Sequence, residues 1–357
     1  MNLFNFKKVS LISNACSIGL MSSTIFASFP EVPPAVTETQ SPKAISDDIS
    51  VPPGAGSKLA RNQLVVFLNI STIDAIKDAQ FKFSKESLQI ANIELEALLP
   101  RMKRFTVYSI YGDGAERKAR ELSDTGEMKS VDEKQLPTPD LFLNITKTLN
   151  CEVSKIESGD LLTFKDTLIY NMTDKDKKVL DDTPEASGTI VVTCTREVTQ
   201  KVNSKTHQIE YVGAYKPGDQ ESQANVIRAL SADLLKGLAA RLAKALPITT
   251  KVTNINPSKT MFSVRAGQKN GIFKGTEMVV WVSVDDFTYA IASGEAEPKS
   301  DSSNIKNLKW NESNPDGKAI VDKIKAEGLK DFKDTTWATS VGIPLKEMLA
   351  PSVSKIP

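Results

Sequence analysis

The side chains able to take part in chemistry are few, and their spacing argues against most reactions. His207 is the sole histidine in 357 residues. Metal sites built on two imidazoles are therefore excluded, and one candidate base remains for any Ser-His or Cys-His arrangement. His207 follows Lys205 and Thr206 at the start of a strand-like run with no activating motif beside it, so an exposed strand histidine is expected. The adjacent carboxylates Asp181 and Asp182, and Asp285 and Asp286, fall in polar loops. Neighbours on an extended chain point to opposite sides, so neither pair makes an acid/base couple. Gly112-Asp113-Gly114 stands between a strand-like run and a charged helical run, the layout of a nucleotide-binding turn, but Arg117 occupies the place of the third glycine. A polar turn capping a surface helix is the expected structure there. The chain has no Gly-x-Ser-x-Gly, no phosphate loop ending in Lys-Ser/Thr and no calcium loop. No catalytic residue, cofactor or metal ion is expected, and a binding or structural protein is favoured over an enzyme.

Two further sets of residues carry weight. Of the three cysteines, Cys16 falls in the leader described below, leaving Cys151 and Cys194, both in strand-like sequence. Two readings stay open. In one, a hairpin joining the two runs sets the thiols opposite each other, and a disulfide closes a loop of about forty residues, worth about 3 to 4 kcal/mol in the chain-entropy model. In the other, two buried thiols never meet. The aromatics Trp281, Phe287, Tyr289, Trp310 and Trp337 gather in the last third of the chain. Filling a small barrel core is their default role, and a partially exposed subset would make a face for extended peptides.

These residues sit in a chain whose composition is that of a soluble globular protein, with 40% hydrophobic and 25% charged residues. Forty-five basic residues against forty-four acidic ones give no global field to concentrate nucleic acid or anionic lipid, so no nucleic-acid partner is expected. Lys7 and Lys8 precede an apolar run ending in Ile25-Phe26-Ala27, the layout of a secretory signal over residues 1–27 with cleavage after Ala27. An uncleaved anchor is weakened by serines and Asn14 within the run. Acylation at Cys16 lacks the usual leucine before the cysteine. The expected address is the periplasm or the exterior, with outer-membrane association as an option. Residues 28–60 hold six prolines among small and hydroxyl residues and read as a disordered tether, and 350–357 as a disordered tail.

The element that organises the remainder is residues 224–246, where Val226, Ile227, Leu230, Leu234, Leu235, Leu238, Leu242 and Leu246 recur three and four apart before Pro247. Such a stripe must be covered, and the segments before it predict an α/β unit over 61–247. Strands are expected at 62–70, 105–110, 141–156, 189–198 and 207–214, and a helix capped by Ser84 and stopped by Pro100. The polar run 157–187 is expected to be a solvated loop. After Pro247, Asn270-Gly271 and flanking valines predict tight turns and strands over 248–349, with a polar loop at 293–315, a strand at 318–325 and a last strand at 337–343. The fold class is α+β: a mixed sheet packed with helices, then a small β-barrel.

The order resembles the α/β domain shared by the curli-secretion protein family, the flagellar basal-body protein of the outer H ring and the amino-terminal domain of the Tol-system translocation protein. The resemblance is carried by Leu99-Pro100-Arg101-Met102-Lys103-Arg104-Phe105-Thr106-Val107, by Pro139-Asp140-Leu141-Phe142-Leu143, by the hairpin turning at Asn203 to Thr206, and by the closing helix before Pro247. The glycine-punctuated stretch from Met261 to Val282 is similar to the SH3-like barrel that ends the flagellar ring protein. The resemblance implies a non-enzymatic exported envelope protein that binds or scaffolds other envelope proteins, including outer-membrane, secretion or motility machinery, with homo-oligomerisation as an option. It also implies, as a second class, an oligomeric ring or secretion-channel component. A ligand-binding or enzymatic α/β domain using the crevice near Gly112 and Gly114 is the third.

Overall fold

A computed structural model describes residues 49–109, 138–176, 178, 180 and 184–349. The expected leader, most of the tether, the Gly112 to Gly114 turn, Asp181-Asp182 and the tail lie outside the described residues. The fold is α+β, with one mixed sheet and one closed barrel.

The sheet has six strands in the order β2-β1-β3-β4-β5-β6. β1 (Leu64–Asp74) lies parallel to β2 (Phe105–Ser109) and to β3 (Leu141–Ile156). β4 (Gly159–Thr173), β5 (Ser187–Val202) and β6 (Ile209–Val212) continue as antiparallel neighbours. Asp140 fixes the entry of β3: its carboxylate accepts from the Val65 N–H at 2.8 Å and its own N–H donates to the Val65 carbonyl at 2.9 Å.

Three expectations for this half change. β4 occupies the first half of the run expected to be a loop. Its alternation places Leu162, Phe164, Leu168, Tyr170 and Met172 in the interior, but Asp166 breaks the pattern and the mixed charges that follow mask it. His207 precedes β6 and takes a positive φ of 55° in the turn. Residues 49–60, assigned by composition to the tether, are packed: Ile49, Ala55 and Ala60 are buried, and a short helix α1 (Lys58–Arg61) forms. Proline-rich sequence orders here because it lies on surface made by other segments, so it needs no core of its own.

Two helices cover one face of the sheet. α2 (Lys85–Arg101) begins at Ser84, whose hydroxyl accepts from the Ser87 N–H, and it carries Pro100 in its last turn. α3 (Gln220–Ala245) begins at Asp219 and buries most of its residues from Leu234 onward. Beneath them one cluster joins Leu64, Val66, Leu68, Leu143, Ile145 and Leu168 to Leu95, Leu98, Leu234, Leu238 and Leu242. A second joins Leu149, Leu162 and Phe164 to Ala91, Val226, Ile227 and Leu230. Fully burying each such aliphatic side chain contributes about 1.5 to 3 kcal/mol, so the stripe on α3 is the main cement of this half.

The barrel closes in the order β10-β11-β8-β7-β12-β9. Its strands are β7 (Thr249–Ile255), β8 (Phe262–Val264), β9 (Glu277–Val284), β10 (Phe287–Pro298), β11 (Ser303–Trp310) and β12 (Thr336–Ser340). The expected loop at 293–315 is largely the β10–β11 hairpin, and the expected strand at 318–325 is a helix, α4 (Pro315–Glu327). Asn314 caps α4 by accepting from the Asp316 N–H at 2.9 Å, and Val321 and Ile324, three residues apart, face the barrel core. Three apolar residues in a row suggested a strand, but the cap and the spacing of three prevail.

The barrel interior is a cluster of its own, with Val252, Phe262, Val280, Ile291, Ile305 and Ala338 at its centre. The junction is nevertheless close. Phe273 of the barrel, and Ile343, Leu345 and Met348 at and within a last helix α5 (Leu345–Leu349), pack into the sheet–helix core. Arg104 from the Arg-Phe run is buried and donates to the carbonyls of Leu59, Leu246 and Pro247, the last at 2.6 Å. Burial pulls its pKa down to about 10. Gly271, at φ 84°, brings the barrel against the same corner: a Cβ there would stand 2.5 Å from the Met102 carbonyl oxygen.

Candidate functional site

Of the two readings of Cys151 and Cys194, the structure has the one in which the thiols do not meet. Cys151 on β3 pairs with Phe164 on β4, and Phe164 pairs with Cys194 on β5. A whole strand separates the thiols, so their Cα atoms stand two strand spacings apart, about 9 to 10 Å, beyond the roughly 7 Å a disulfide spans. Both are free. Burial pushes the Cys151 thiol up to about 12 and raises Cys194 as well, so neither is a ready thiolate. The hairpin argument failed because β4 was read as a loop.

His207 is exposed, with no described side-chain partner that would make it a base. Asp285 and Asp286 form the β9–β10 turn, Asp285 at φ 52°, and both are exposed. Among the described residues no three His, Cys, Asp or Glu side chains gather to hold a metal ion. No helix among them is long and apolar enough to cross a membrane.

The buried polar groups are structural in placement. Lys147 and Asp166 meet at 3.0 Å between the two sheet–helix clusters, each side chain 1% exposed. Burial raises the Asp166 carboxyl and the Lys147 ammonium opposes that rise. Gln223 on α3 accepts from the Ser84 N–H and the Ser87 hydroxyl, tying the two helices at their amino ends.

The barrel aromatics separate by environment. Trp281 is buried and donates its indole N–H to Thr339 Oγ1 at 2.9 Å. Trp337 stacks on it at 6.4 Å with the Arg61 guanidinium 4.3 Å above its ring centre. Trp310 packs edge-on against Phe262, with Lys325 over its ring. Tyr289 packs partly against the barrel core. Phe287 is the exception, 66% exposed at the start of β10.

Beside Phe287 lies a groove of about 610 Å³. One wall is Thr288, Tyr289 and Ala290 of β10; the other is Asn311, Ser313, Asn314 and the start of α4; Ile49, Ser50 and Val51 close one end. Asn311 is the organising residue. It is buried, and its amide donates to the Ala290 carbonyl at 2.8 Å and to the Ile49 carbonyl at 3.1 Å. Its own carbonyl accepts from Ser313. Ile49 and Val51 thereby lie on a wall of Val279, Ala290 and Val341 outside the barrel. Sequence reasoning picked out Phe287 and Tyr289 but missed Asn311, which sat inside the supposed loop. No local signal marks an asparagine whose amide bridges a strand and a segment far away in sequence.

No family model matches this chain, and no curated protein matches it. Solved structures with partial likeness include a protein described as a homologue of a neuraminyllactose-binding hemagglutinin from Helicobacter pylori, at 14% identity over 53% of this chain and 92% of that one, TM-score 0.25. Lipoprotein GNA1162 from Neisseria meningitidis is 13% identical over 48% of this chain and 97% of its own, TM-score 0.20. A PelC dodecamer from Paraburkholderia phytofirmans is 12% identical over 50% of this chain and 89% of its own, TM-score 0.22.

Proposed function

We propose that this is a non-enzymatic, exported cell-envelope protein that binds or scaffolds other envelope proteins through its carboxy-terminal barrel. The observation that carries the reading is the exposed Phe287 ring, 6.5 Å from the ring of Tyr289, which with Thr288, Ala290 and Asn311 walls a groove. A large aromatic left in water next to a shaped concavity is a common anchor for a protein partner. Export rests on the signal-like sequence over residues 1–27. The likeness to the curli-secretion, flagellar H-ring and Tol translocation domains, and of the barrel to SH3-like domains, belongs to the same proposal. It is supported by the order β1, α2, β2, the antiparallel strands and closing helix α3, followed by a closed barrel.

The test is fractionation of native cells combined with a photo-crosslinking residue at position 287, and at exposed Thr193 as control. Adducts with other envelope proteins from position 287 alone, in the envelope fraction, are expected. A cytoplasmic location, or equal adducts from both positions, would remove the reading.

A further inference from the structure

We propose that the barrel takes up an extended segment of its partner by strand addition along the free edge of β10 at residues 287–290. This rests on the binding role proposed above and specifies its mode. β10 pairs with β9 from Phe287 to Glu295, but its pairing with β11 begins only at Ala292. Among the described residues, the first four thus have a strand neighbour on one side alone, because the chain leaves β11 at Trp310 and turns through Asn311 to cap α4. The Ala290 carbonyl on this edge already accepts from Asn311, so the main-chain groups left as a template for another extended chain are those of residues 287–289. The groove runs beside it.

The molecule already uses this surface for an extended segment of its own. Asn311 joins the Ile49 carbonyl to the Ala290 carbonyl through one buried amide, so the seat for residues 49–51 is continuous with the free edge. In that segment Ile49 is buried, Ser50 is exposed and Val51 is half-buried, an aliphatic–polar–aliphatic alternation against Val279, Ala290 and Val341. The occupant of the edge is inferred to share that chemistry: a partner segment alternating aliphatic and small hydroxyl side chains. One aliphatic side chain would lie on the Phe287 ring. Asp285 and Asp286, exposed at the adjoining turn, favour a basic residue at the end of the segment that reaches them.

The probe is an acetylated, amidated peptide of about ten residues alternating valine and threonine and ending in lysine, titrated into the isotope-labelled full chain. Amide shifts confined to residues 287–290 and Asn311 are expected, saturating in the range of about 0.1 to 1 mM. Strand addition uses every second peptide amide, so N-methylating one alternate set should abolish binding while the other set leaves it within about twofold. Phe287→Ser, at an exposed position, should weaken binding about fivefold or more without loss of folding.

No shifts at about 1 mM, shifts elsewhere, or equal loss from both N-methylated sets would overturn strand addition. Concentration-dependent self-association perturbing the same amides without peptide would name a second copy as the occupant and overturn the partner assignment. Envelope adducts from position 287 together with any of these failures would remove the mode while leaving the binding role in place.

Discussion

Replacing Lys147 by methionine gives the sharpest test of how the sheet–helix core is held. The ammonium of Lys147 and the carboxylate of Asp166 are each 1% exposed and 3.0 Å apart, and Asp166 Oδ1 has no hydrogen-bond partner among the described residues. The carboxylate therefore depends on one cation. Lys147→Met keeps most of the packed stem but strands the charge, which typically costs about 3 to 5 kcal/mol, a large part of the 5 to 15 kcal/mol that holds a domain together. Replacing both partners, as Lys147→Met with Asp166→Leu, removes the stranded charge and should recover most of the loss.

Acid should also recover part of it. The folded pKa of Asp166 is already above its ordinary value through burial, and losing Lys147 removes the charge that opposes the rise. A carboxyl with a raised folded pKa contributes its stability below the unfolded value and loses it as pH climbs through the folded one. The deficit of Lys147→Met should accordingly shrink as pH falls from 7 toward 4. Urea unfolding at several pH values reads all of this, provided the m-value is unchanged. A single variant within about 1 kcal/mol of the parent, or a double variant no better than the single, would refute the reasoning.

Three further predictions follow from the same geometry. Arg104→Met should cost more than about 3 kcal/mol in thermal or urea unfolding, because it leaves the buried carbonyls of Leu246 and Pro247 and the half-buried one of Leu59 without their donor. Thiol titration should find Cys151 and Cys194 reduced and slow to react when native, and freely reactive in denaturant, with no change in gel mobility on reduction. Glu277 is raised above 4.5 by burial and then by Glu295, its direct cross-strand neighbour, so Glu277→Gln should stabilise by about 0.5 to 1 kcal/mol at pH 7. Because the raised folded pKa favours the protonated form, that gain should fade as pH falls from 7 toward 4.5 and be lost below it, as differential scanning calorimetry across pH would show.

The parts of this protein that local periodicity encodes were legible before any coordinates. The stripe from Val226 to Leu242 marks α3, the alternation through Leu141, Leu143 and Ile145 marks β3 to its ends, Ser84 marks the start of α2, and Asn270-Gly271 marks a turn of the barrel. In each, the residues that define the element lie within a few positions of one another, so their spacing carries the information. α4 is encoded in the same local way, by Asn314, Pro315 and the spacing of Val321 and Ile324, yet three consecutive apolar residues give the strand reading at 318–325 that the structure overturns.

What only the tertiary structure decided has a common cause: the partner lies far away in sequence. β4 reads as polar because Asp166 interrupts its buried face, and the charge becomes tolerable only where Lys147 of β3 meets it. The cysteines look like a pair until β4 is set between their strands. Residues 49–51 look like tether because the wall that orders them is built from Val279, Ala290 and Val341. The groove depends likewise on Asn311 reaching two carbonyls, one of them 262 positions away. Satisfying a buried charge or amide is a property of the assembled fold, and no window of adjacent residues contains it.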